Sequence, residues 1–164
     1  MSPAYQLIRK VYGDRRAARS GRLYMDHIDE GVAILKALGA CSNTQDAFMV
    51  HPIAQDSNYF AQHYIELTTL KPIVVLYAME YARVANNWLR RDPPPMDPLS
   101  PIPQVNLMLI ADKVQNKKDF IQYYKGIVKD VVELSAYFDS WLRALGISES
   151  RYHQLVKVIQ PDPL

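Results

Sequence analysis

Apolar residues recur every three or four positions along nearly the whole chain, a period that lets an α-helix bury one face and that a β-strand cannot use. The clearest run places Ile73, Tyr77, Tyr81, Val84 and Trp88 on one stripe, with Pro72 positioned to start it. This predicts a helix over 73–91, the longest of the chain. Ile28, Val32, Leu35 and Leu38 predict another over 26–38, stopped by Gly39. Further helices are expected over 105–120, over 126–146 with a glycine at its close, and over 148–159, where Ser148 can cap and Glu149 sits just inside. Trp88 and Trp141 fall on apolar stripes and are expected in the core.

The segment DPPPMDPLSPIP, residues 92–103, holds six of the eleven prolines and excludes a helix there, favouring a stiff, extended crossing. Neither flank alone carries enough apolar surface for a core. With 164 residues, 49% of them hydrophobic, the chain 1–164 therefore reads as a single domain of the all-α class, a helical bundle of six to eight helices.

Charge and cysteine usage narrow the function classes. Nineteen basic against seventeen acidic residues leave a net charge of +2, too small for nucleic-acid binding by the molecule as a whole. The single cysteine, Cys41, excludes an internal disulfide and a multi-cysteine zinc site. The opening MSPAYQLIRK lacks the apolar stretch of a signal peptide, and no apolar run reaches the roughly 20 residues that span a bilayer. The expectation is a cytoplasmic protein with no membrane association.

Three polar residues stand out on these helices. His27 lies near the start of one, His51 near the end of the next, and Asp112 follows the apolar run LMLIA in mid-helix. A lone histidine at a helix end is usually a cap or a satisfied polar contact. A carboxylate in such a setting needs a cation or a metal, because burying its charge unpaired costs several kcal/mol. Asn116, four residues on, shares the helix face of Asp112 and either joins it on a ligand or belongs to an exposed stripe with Lys113 and Lys117. Between residues 8 and 22 stand six basic residues, Arg9, Lys10, Arg15, Arg16, Arg19 and Arg22, and one acid. Arginine forks of this kind suit phosphate oxygens or form a solvated basic face. His63 and His153 are read as surface or core polar residues.

On these residues the chain resembles a known family. RSGRLYMDHIDEGVAILKALGA (19–40) is similar to the opening of the HD-domain hydrolases, above all the RelA/SpoT enzymes that hydrolyse (p)ppGpp, with Ser20, Gly21, Tyr24 and His27 on the Ser-Gly-x-x-Tyr-x-x-His run. AFMVHPIAQD resembles the segment that carries the second histidine, here His51, and ends on an acid, here Asp56. LIADKVQNKKD resembles the Ala-Asp-Arg-Leu-x-Asn-x-Arg motif, with Asp112 on the metal-binding aspartate and Asn116 on the nucleotide-holding asparagine. The three motifs occur in order over residues 5 to 125. Three functional positions depart from the family: Pro52 replaces the aspartate after the second histidine, Gln55 replaces the water-activating acid, and Ala18 replaces an arginine.

The resemblance implies an HD-type fold in which His27, His51 and Asp112 hold one divalent metal, Mn, Fe, Zn or Ni. It implies Asp56 as catalytic base, and Arg15, Arg16, Arg19, Arg22 and Asn116 as the groups that steer a nucleotide phosphate. The expected activity is metal-dependent phosphohydrolysis of a nucleotide. The alternative is an inactive HD fold, its metal lost with the aspartate, that binds a nucleotide or a protein partner. Eleven tyrosines and the basic segment leave room for a protein partner or a homo-oligomer; nucleic acid is the weaker expectation.

Overall fold

Nearly every helix begins where the sequence supplies a start signal. In the computed structural model, which describes residues 1–18, 20–89, 99–124 and 131–160, α1 (Pro3–Tyr12) opens on Ser2, whose hydroxyl accepts from the Tyr5 amide at 3.3 Å. In α2 (Tyr24–Ala37) the Asp26 carboxylate accepts the Leu23 backbone N–H at 3.2 Å. After α3 (Ser42–Gln55) comes α4 (Ser57–Thr68), capped by Asp56. Prolines open α5 (Pro72–Leu89) and α6 (Pro103–Asp119), where a missing N–H costs nothing. A π-helical turn, Phe120–Tyr124, extends α6; α7 is Val131–Ala144, and α8 (Glu149–Ile159) is capped by Ser148. Gly39 and Gly146, at φ +73° and +70°, end α2 and α7 in the left-handed conformation that side chains disfavour.

The architecture is all-α: among the described residues there are helices and turns, and a single isolated bridge between Arg16 and Leu23 is the sole extended pairing. The eight α-helices among the described residues match the upper end of the predicted number. Among the described elements α5 is the longest, at 18 residues. Residues 90–98, most of the proline segment, lie outside the described residues, as do 126–130, the start of the helix predicted over 126–146, and the side chain of Trp88. Trp141 is fully buried. No helix among the described residues is long and apolar enough to cross a membrane.

One apolar core draws on all eight helices, from Ile8 on α1 to Leu155 on α8. Within it α3 packs along α5, α1 crosses α3, and α2 lies against α3, α6 and α8. The contact of α2, α3 and α6 brings His27, His51 and Asp112 together.

Candidate metal centre

His51 and Asp112 are buried, at 2% and 3% exposure, and His27 is half-buried at the edge of a cavity of about 300 Å³. His27 Nε2 lies 3.5 Å and His51 Nε2 3.9 Å from Asp112 Oδ1, and one ligand atom from each of the three residues falls within 4.8 Å of the others. The imidazoles stand edge to face, centroids 5.4 Å apart, and Phe48 packs against both. Tyr81 closes the far side of His51 at 4.5 Å.

Hydrogen bonds fix which nitrogen of each imidazole is free. His51 Nδ1 is 2.6 Å from the Phe48 carbonyl oxygen, which can only accept, so Nδ1 carries the proton. His27 Nδ1 is 2.7 Å from Gln115 Oε1. The Gln115 amide nitrogen donates to Glu30 at 3.0 Å and to Asp119 at 2.8 Å, which fixes the amide with its oxygen towards His27. In the neutral form of each ring Nε2 is therefore the lone-pair acceptor, and both Nε2 atoms face Asp112 Oδ1. Burial pushes the His51 imidazolium down to about 3, so that ring is neutral near pH 7.

Asp112 is held from two sides. Lys113 Nζ lies 2.7 Å from Oδ2, and the Asn116 amide donates to Oδ1 at 2.9 Å. Burial alone would raise the Asp112 carboxyl; Lys113, and after it His27 and His51, together outweigh burial and hold the group well below the usual carboxylate range. Burial, with Asp112 adding to it, pushes the Tyr81 phenol well above its ordinary value.

Two nitrogens and one carboxylate oxygen, with both ring N–H groups donated to oxygens behind them, form a donor set that fits a divalent first-row metal. The residues are a candidate centre on that ground. Three acceptors converge, and a cation is what they can share.

The other predicted residues are distributed differently. Asn116 lines the cavity but spends its amide N–H on Asp112. Arg22 also lines it, with its guanidinium paired to Asp26 and Glu30, each at 2.9 Å, and 3.8 Å from Asp119. Arg15 folds back onto the Val11 and Tyr12 carbonyls and the Tyr59 hydroxyl, and Arg16 donates to the Gly21 carbonyl. Neither lines the cavity, and Arg19 lies outside the described residues. Of the basic run, Arg22 is the residue that lines the cavity among the described residues, and Arg15 and Arg16 are engaged in local contacts.

Asp56 is placed apart from the centre as well. Its carboxylate accepts the Asn58 and Tyr59 amides at 2.8 and 3.0 Å, capping α4, and it lines an adjoining cavity that shares Tyr12, Tyr24, Pro52 and Gln55 with the first. Both amides bond the same oxygen, Oδ1, and Asp56 is not among the residues that line the cavity at the centre. His63 and His153 do have acid neighbours, Glu66 at 3.4 Å and Glu149 at 3.8 Å, one helical turn away.

Sequence reasoning missed Gln115, Lys113 and the network behind them, in which Lys118 pairs with Glu30 and with Asp119. Gln115 follows Asp112 by three residues and Glu30 follows His27 by three, so each lies one turn from a named residue; that spacing was the available signal. No family model, curated protein or solved structure matches the chain.

Proposed function

We propose that the chain is a single-metal phosphohydrolase of the HD type that acts on a nucleotide phosphate, with His27, His51 and Asp112 holding the ion. The observation that carries the reading is the convergence of His27 Nε2, His51 Nε2 and Asp112 Oδ1 at a cavity, with both opposite ring nitrogens committed to acceptor oxygens. A divalent ion there supplies Lewis acidity towards a phosphoryl oxygen and lowers the pKa of a water towards neutrality.

The chain's own residues do the rest. Gln115 and the Phe48 carbonyl aim the imidazoles; Lys113 and Asn116 fix the carboxylate. Tyr12 and Tyr24, centroids 5.1 Å apart, flank the cavity and offer an aromatic wall to a base. Outside the ligand set, Asp119 is the one carboxylate lining the cavity among the described residues, and its place there gives it the role expected of Asp56, which lines the adjoining cavity instead. In the reaction a water oxygen bonds to phosphorus, the bond from phosphorus to the leaving oxygen breaks, and the water's proton passes by way of Asp119 to that leaving oxygen.

Pro52, which offers no ligand atom, and the engaged arginines favour a second reading: a domain that binds a nucleotide and acts by occupancy. Hydrolysis of a panel containing ppGpp and the deoxynucleoside triphosphates, with Mn added, separates the two. Phosphate release that is lost in Asp112→Ala supports the enzyme. Saturable nucleotide binding without release supports the second reading, and neither binding nor release from folded protein overturns both.

A further inference from the structure

In an α-helix the carbonyl of residue i accepts the N–H of residue i+4. Helix α3 runs through Pro52, which has no N–H, so the Phe48 carbonyl loses its helical donor. Phe48 and His51 are both buried, where an unpaired carbonyl is costly. The donor that replaces the missing amide is His51 Nδ1, 2.6 Å from the Phe48 oxygen. A helical side chain leans over the turn that precedes it, which is where this carbonyl stands.

We infer that Pro52 is a positioning residue for His51: by leaving the Phe48 carbonyl open it holds the proton on Nδ1 and turns Nε2 towards His27 and Asp112. The proline at the position where the resembled family has an aspartate is thus built into the centre through the backbone. Any other residue at 52 would bring an amide hydrogen in line with the same oxygen. His51 would then share its acceptor, the ring would be free to exchange tautomers, and a proton on Nε2 would block the lone pair that faces Asp112.

The consequence for metal affinity rests on the proposed metal-binding reading, while the tautomer does not. The test is therefore made on Pro52→Ala in two stages. In metal-free protein, long-range proton–nitrogen NMR reads the His51 tautomer: the wild type is expected as Nδ1–H, and the variant as a mixture with Nε2–H. Titration with Mn is then expected to give a Kd about 10- to 100-fold weaker in the variant, the range typical of groups that orient a ligand from behind. The melting temperature should be equal or higher, because alanine favours the helix. A merely structural proline would lower stability and leave the tautomer alone.

Unchanged Nδ1 protonation in the variant, or an Mn Kd within twofold of a wild type that binds Mn, would overturn the inference. If the wild type binds no Mn, the metal reading fails and the tautomer alone decides the role of Pro52. Pro72→Ala, at the first position of α5 and outside the lining of the centre's cavity, is the control and should change neither quantity.

Discussion

Lys113 Nζ lies 2.7 Å from Asp112 Oδ2 with both side chains buried, although the two residues are neighbours on a helix and leave its axis in different directions. The lysine bends back under Tyr137 and Trp141, whose ring centroids are 5.8 and 4.9 Å from the ammonium. Asp112 thus has one oxygen neutralised by the protein and the other facing the histidines. The pairing separates two roles of one carboxylate.

Lys113→Met tests that separation. Methionine keeps contact with the two rings but removes the cation, leaving a buried carboxylate with no charge to balance it, which should cost about 3–5 kcal/mol of stability in metal-free protein. Added Mn should then raise the melting temperature more in the variant than in the wild type, since the ion restores a missing charge. Equal melting temperatures without metal would show that the pair carries little.

Gln115→Leu removes the acceptor of His27 Nδ1–H and takes one donor from each of the Glu30 and Asp119 carboxylates, which keep Lys118. Mn affinity is expected to fall about 10- to 100-fold in a competition titration. An unchanged affinity in folded variant would mean that His27 is oriented by packing alone.

Gly31 is packed against Phe48 so closely that an added Cβ would overlap the ring at Cε1 and Cζ. The ring would have to move, and it is the ring that touches both imidazoles. Gly31→Ala should cost about 1–3 kcal/mol and weaken Mn binding with it. Phe48→Leu in the same chain should recover part of the stability; strict additivity of the two substitutions would contradict the contact.

Glu80 gives a prediction away from the centre. The Arg83 guanidinium, donating two bonds of 2.7 Å, and then the Ser100 hydroxyl hold its carboxyl below the ordinary value against the opposing effect of burial. Because the folded chain binds this proton more weakly than the unfolded one, the contribution is present above the unfolded value, roughly 4.3, and is lost as pH falls through the folded value. Denaturant midpoints taken from pH 6 to 3.5 should fall more steeply in wild type than in Glu80→Gln. Parallel slopes would remove Glu80 from the acid response.

What the sequence made legible was the local part of this structure. Ser148, Pro72 and Gly39 mark helix ends by chemistry that acts within a turn, and the structure uses each as such. His27, His51 and Asp112 stood out because polar groups beside apolar runs are costly. The rest depended on which helix approaches which. Lys113 looked like a solvent-facing lysine until α7 covered it, and Gln115 became a partner of His27 only through the contact of α2 with α6. The arginine run was visible as charge, but its direction was set by nearby carbonyls and carboxylates. Asp56, directly before Ser57, carried a cap signal that a motif-based reading passed over.

Metal content tests the central claim most directly. Protein purified without chelator or metal-affinity resin, then dialysed against Mn and freed of excess, should hold about one ion per chain, and His51→Ala and Asp112→Ala should hold none while remaining folded. A folded wild type that retains no ion after exposure to Mn, Fe, Zn and Ni in turn, with a melting temperature unmoved by any of them, would contradict the account.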